Sequence, residues 1–155
     1  MRVTCCCIEF GRVVDPQILL DAMETESIRM QWDTKVKKLR VEVASDGSRT
    51  VHTRFSQLFI TRDLLERRIT KVYPEEIRVI YYTPSDIEST DTHAHTYFGL
   101  HRYIASPTGT KVVLFSQTDY RRPDFIRKTM HFVKGEAGKW LQAYYQQTLD
   151  LIAAS

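Results

Sequence analysis

The stretch PDFIRKTMHFVKGEAGKWLQAYYQQTLDLIA, residues 123–153, decides how the rest of the chain must fold. Ile126, Met130, Val133, Ala137, Leu141, Tyr144, Thr148 and Ile152 recur at steps of three or four, so the segment reads as one long helix with an apolar face. Gly135 and Gly138 sit in its middle, each costing about 1 kcal/mol relative to Ala, and a kink or break is expected there. No second helix of comparable length is readable elsewhere. The apolar stripe is therefore expected to lie against a sheet.

That sheet is legible upstream. β-Branched and aromatic residues alternate with polar ones over residues 3–10, 35–44, 49–59, 62–72, 76–82, 95–105 and 110–118, about seven strands. Ser45-Asp46-Gly47-Ser48, Tyr73-Pro74-Glu75 and Ser106-Pro107-Thr108-Gly109 are turn chemistry, and such short joins make successive strands antiparallel neighbours. Between the first two strands the period changes. Asp15 can cap a helix with Pro16 at its first position and Ile18, Leu19, Ala22 and Met23 at helical spacing. A second short helix over residues 26–31 leads into Trp32-Asp33. The order predicts an α+β helix-grip fold: a curved antiparallel sheet wrapped around the C-terminal helix, with a hollow between them.

Composition agrees with one globular domain, residues 1–155. Hydrophobic residues make up 43% and charged residues 26%, which excludes disorder, while 6 Gly and 5 Pro exclude collagen-like chains. No apolar run approaches the roughly 20 residues of a membrane span. The opening residues are too soon interrupted by Glu9 and Arg12 for a secretory signal, so a cytoplasmic setting is expected. Cys5, Cys6 and Cys7 have neither disulfide nor metal spacing and suit a reducing compartment. The net charge of +3 does not argue for nucleic acid. Six Lys/Arg lie between Arg121 and Lys139, however, against only Asp124 and Glu136.

At this point the sequence resembles the START lipid-transfer domains of the Bet v 1-like superfamily. Trp32-Asp33 followed by Val36 looks like the family's Trp-Asp signature, and Arg62-Asp63-Leu64 resembles its Arg-Asp-aromatic segment. Gly109-Thr110-Lys111-Val112, then Thr118-Asp119 and Pro123, resembles the last strand and the helix entry. The chain departs from the pattern in three ways. It lacks the usual N-terminal helix and additional strands, Leu64 replaces an aromatic, and Tyr120, Arg121 and Arg122 stand where glycines are usual. The resemblance implies a protein holding one phospholipid, fatty acid or sterol under the C-terminal helix. Some superfamily relatives are cyclases or hydratases, and others are co-chaperone-like interaction domains, so these two alternatives stay open.

Candidate ligand-binding residues follow from alternation. Arg62, Leu64, Glu66 and Arg68 share one strand face, with Asp63 on the other. If that face is inward, Glu66 and Arg68 are neighbours that could pair, because an unpaired buried charge costs several kcal/mol; the other reading is a solvated strand face, since one of the adjacent Arg67 and Arg68 must point outward. Arg68 also falls where cholesterol-binding START proteins, which this segment resembles, place an inward arginine. Thr53 and Arg54 are secondary candidates. Phe55, Phe59, Ile80, Tyr82, Phe98, Leu100 and Leu114 are expected to line the hollow with Ile126, Met130, Val133, Leu141 and Tyr144 of the helix. Tyr81, His95, Tyr97 and Asp63 could supply an acid–base set, though no spacing demands it, and no Gly-x-Ser-x-Gly, His-Glu-x-x-His or P-loop motif accompanies it. His93, His95 and His101 are separated by even numbers and read as one face, but without a convergent fourth ligand no metal site is assigned. Contact of the basic residues Arg121, Arg122, Arg127 and Lys128 with an anionic membrane completes the expected picture.

Overall fold

The computed structural model of the chain describes residues 3–57, 60–87, 90–121 and 136–154. Its strands are β1 (Val3–Phe10), β2 (Val36–Val43), β3 (Arg49–Gln57), β4 (Ile60–Tyr73), β5 (Glu76–Tyr82), β6 (His93–Ser106) and β7 (Gly109–Asp119). They form one sheet in the order β1-β7-β6-β5-β4-β3-β2. Neighbours in that order are antiparallel. β1 and β2 are thus the two edges, and the chain crosses between them through α1 (Pro16–Glu24) and α2 (Glu26–Trp32). α3 (Glu136–Ala154) follows β7, and the helix-grip architecture expected from the sequence is the one observed.

The local signals act as their chemistry requires. Asp15 caps α1 by accepting a hydrogen bond from the Gln17 amide at 2.8 Å, with Pro16 just inside the helix. Gly47 takes a φ of 78° in the β2–β3 turn, a left-handed conformation that costs glycine little. β5, at 7 residues, is half as long as its 14-residue neighbours β4 and β6. Beyond the end of β5, β6 pairs directly with β4 in parallel, Asp63 opposite His93 and Leu64 opposite Ala94.

The main core joins β1, β5, β6 and β7 to all three helices, through Ile8, Phe10, Leu19, Met23, Trp32, Ile77, Val79, Tyr103, Val112 and Tyr144. Here one expectation is corrected, since the described part of α3 does have helical partners. The Tyr144 hydroxyl donates to the Leu19 carbonyl of α1 at 2.9 Å, and Trp140 Nε1 donates to Asp33 Oδ2 at 2.9 Å. The rings of Trp140 and Tyr144 lie 5.5 and 5.2 Å from Trp32. The short helices of the β1–β2 crossover cover the same end of the sheet that receives α3, so the stripe packs on them. Gly138 lies within a continuous helix and does not break it. Gly135, Ile126, Met130, Val133, Arg122, Arg127, Lys128 and Phe59 lie outside the described residues.

Candidate functional site

The site is built from β4 outward. Register places Arg62, Leu64, Glu66 and Arg68 opposite Phe55, Thr53, Val51 and Arg49 of β3, all on the face turned toward the helices. Glu66 and Arg68 are buried at 2% and 8% exposure. The two pair with each other: Arg68 Nη2 and Nε donate to Glu66 Oε2 at 2.7 and 3.2 Å. Arg68 Nη1 also donates to Glu24 Oε1 at 3.0 Å, and Glu24 Oε2 lies 2.6 Å from Arg49 Nη1. The cross-strand neighbours Arg49 and Arg68 would repel, and the carboxylate delivered from the end of α1 sits between them. Thr96 of β6 donates to Glu66 Oε1 at 2.7 Å and lies 3.1 Å from the Thr118 hydroxyl. The result is a cluster of two carboxylates and two guanidiniums, with Glu24, Glu66 and Arg68 buried and Arg49 part-exposed, rimmed by threonine hydroxyls. Burial works against the charge on Arg68, but Glu24 and Glu66 outweigh it and hold its pKa above the ordinary arginine value.

One row of paired residues crosses the sheet through this cluster: Arg49, Arg68, Tyr81, Gly99 and Ser116. The Arg68 guanidinium lies over the Tyr81 ring, 5.4 Å from its centroid. That ring in turn covers Gly99 so closely that a Cβ there would fall 2.0 Å from it. Tyr81 donates to the Phe115 carbonyl at 3.3 Å, and burial, then Glu66, pushes its phenol pKa up. His101 lies edge-on to Tyr81 at 4.7 Å. Burial, then the positive charges of Arg68 and Arg29, holds its imidazole well below the usual histidine range, so it is neutral in the folded chain.

Several expected residues stand elsewhere. Arg54 and Asp63 pair on the opposite, outer face, where Arg54 Nε donates at 2.9 Å and His52 Nε2 lies 3.1 Å from the same oxygen. The Arg54 hydrogen bond, aided by His52, lowers the Asp63 pKa. His95 and Tyr97 also face outward, ring to ring at 4.6 Å, with Tyr97 46% exposed. A bulge in β6 between Thr96 and Phe98 causes this. It shifts the inward parity from Ala94 and Thr96 to Gly99, His101 and Tyr103, so His95 and His101 do not share a face. Phe98 is turned out with them, and in β5 the inward residues are Ile77, Val79 and Tyr81, not Ile80 and Tyr82. Arg62 spends its donors on backbone: Nε reaches Tyr120 O at 3.2 Å and Nη2 reaches Arg121 O at 2.7 Å. It therefore holds the end of β7, with the Phe55 ring edge-on to Tyr120 at 5.4 Å. Leu141 and Tyr144 belong to the packed core among the helices.

No family model matches the chain, and no curated protein matches it by sequence; the likeness is structural. Human STARD10 superposes with a TM-score of 0.76 at 14% identity, over 95% of this chain and 63% of its own. The STAR-related lipid transfer protein from Xanthomonas axonopodis gives 0.70 at 11% identity over 96% and 86%. A START superfamily protein from Mycobacterium smegmatis gives 0.55 at 14% identity over 96% and 98%. The fold is START/Bet v 1-like. In this START-like chain the Trp32-Asp33 pair has a visible structural task. Trp32 Nε1 donates to Ala22 O at 2.8 Å, fixing α2 on α1, while Asp33 binds Arg29 at 2.6 Å and Trp140 of α3. The cluster also recruits residues that alternation on β4 does not show, namely Glu24, Arg49, Thr96 and Thr118. Glu24 had a detectable signal, since it continues the buried Leu20 face of α1 one turn on.

Proposed function

We propose that the chain is a lipid-binding, lipid-transfer protein that takes one hydrophobic ligand between the sheet and the C-terminal helix. The polar end of the ligand is received at Arg68, Glu66 and Thr96. The observation that carries this reading is the buried ion cluster on the inner face of a START-like sheet. A buried ion pair adds little to stability over an apolar equivalent, so recognition is the better reason for four charged groups at this place. Thr53, Phe55 and Leu64 continue the same face beside it. The two carboxylates balance the two guanidiniums, which favours a neutral hydroxyl or carbonyl, as in a sterol, over a phosphate. Burial of a hydrocarbon chain supplies the affinity at about 0.8 kcal/mol per methylene.

No catalytic residue is needed for this activity. The acid–base set points to opposite faces, Tyr81 inward and Asp63, His95 and Tyr97 outward, which favours a carrier over a cyclase or hydratase. Among the described residues no helix is long and apolar enough to cross a membrane. We place the carrier in the cytoplasm, meeting anionic membrane transiently through Arg121, Arg122, Arg127 and Lys128, each worth about 1 kcal/mol near such a surface. A transfer assay tests the reading. Fluorescent sterol, fatty acid and phospholipid in donor vesicles should move to acceptors when the protein is added, the sterol fastest. Thr96→Val, which keeps the side-chain shape, should slow sterol transfer about tenfold. Absence of transfer for all three classes would contradict it.

A further inference from the structure

The two edges of the sheet are built differently. β2 carries Lys37, Lys38, Arg40 and Glu42, has a bulge between Val36 and Lys38, and packs against α2. Charge and bulges of this kind are how an edge is kept from pairing with another chain. β1 has none of these protections. Its eight residues, Val-Thr-Cys-Cys-Cys-Ile-Glu-Phe, pair with β7 in unbroken register from Val3–Gln117 to Phe10–Thr110. There is no Pro, no Lys and no bulge. Its one charge, Glu9, is already matched by Lys111 of β7 at 3.1 Å. Among the described residues, nothing pairs with the other side of β1.

We propose that a second copy of this chain docks on β1, the two β1 strands running antiparallel about a two-fold axis and joining the two seven-stranded sheets into one. The strand is self-complementary in this arrangement. A two-fold perpendicular to the sheet keeps outer side chains opposite outer ones, which requires paired residue numbers to sum to an even value. Centring on Cys6 pairs residues 3 to 9: Val3 meets Glu9, Thr4 meets Ile8, Cys5 meets Cys7, and Cys6 meets its own copy on the axis. No like charges face each other, and both Glu9 side chains keep their lysines. Val3, Cys5 and Cys7 are exposed, and their outer face continues across β7 to Phe115 and to the 41% exposed Phe98, ring to ring at 6.0 Å. Pairing extends this apolar strip across the seam and covers part of it.

The full chain, reduced, should therefore show a mass of twice 18.1 kDa by sedimentation at high concentration, dissociating on dilution. Cys5→Lys/Cys7→Lys sets lysines against each other across the seam and should weaken association by about a hundredfold or more. Both positions are exposed, so the monomer's circular dichroism and Tm should be unchanged. Mild oxidation of the wild type should give a disulfide-linked dimer whose peptide map joins Cys5 to Cys7, because facing strand residues lie within the roughly 4.4–6.8 Å Cα separation a disulfide spans. A monomer throughout the concentration range, a dimer indifferent to the lysine pair, or cross-links lacking Cys5–Cys7 would each overturn the proposal.

Discussion

Arg68 is held by two carboxylates from different elements, Glu66 on its own strand and Glu24 at the end of α1. Removing it leaves Glu66 buried without a counter-charge and Glu24 with Arg49 alone, and Arg68→Met should cost about 3–5 kcal/mol in urea unfolding. Adding Glu66→Gln, with Glu24 left to Arg49, should restore much of that loss; failure of the double variant to recover would show that the charges are not what the cluster balances. Gly99 is a second single-residue test. An alanine methyl must displace the Tyr81 ring from its place under Arg68, so Gly99→Ala should destabilise by about 1–3 kcal/mol, a loss that Gly99→Ala/Tyr81→Leu largely recovers. His101 makes a pH-dependent prediction. It is neutral in the folded chain, whereas the unfolded chain takes up the proton as pH falls through about 6.5. Its contribution is thus intact above that value and is lost below it, by up to about 1.4 kcal/mol per pH unit. Unfolding free energies at pH 7 and pH 5 should show a smaller difference in His101→Gln than in the wild type; equal differences would contradict a neutral buried imidazole.

Elements explain what could and could not be read in advance. The strands were legible because turn chemistry separates alternating runs, and α1 because Asp15-Pro16 announces its start. That Glu66 and Arg68 share a face followed from the period of two along an unbroken β4; that the face is the inner one did not, since alternation is the same on either side. The same period misled on β6, where one bulged residue reverses the parity and sends His95 outward while His101 turns in. Alternation carries no mark of a bulge, so His101 was separable from His95 only by pairing to β7. The burial of Glu24 could be read from α1, but its partners could not: Arg49 and Arg68 lie 25 and 44 residues away, and meeting them depends on how α1 crosses the sheet. The docking of α3 was likewise a tertiary matter. Asp33 joins it to α2 by accepting from Trp140 while pairing with Arg29. Asp33→Ala should therefore cost about 2–4 kcal/mol and speed hydrogen exchange in α3 more than in β6, whereas a uniform increase would show that α3 is not held through this contact.

At the scale of the molecule, a bent sheet, two short helices that fill one end, and a buried polar cluster toward the middle are the working parts. The helices and the Tyr144 side of α3 make a close-packed core; the face carrying Thr53, Phe55, Leu64 and Arg68 lies beyond it and is where the ligand is assigned. Binding to the folded chain alone raises its stability by mass action, so added sterol should raise Tm in a dose-dependent way. The most direct measurement is native mass spectrometry of the purified protein, followed by organic extraction of whatever it carries. The expected result is one hydrophobic molecule per chain, released by solvent and replaced by added sterol. A ligand-free mass that no lipid of any class increases, with no change in Tm, would contradict the account.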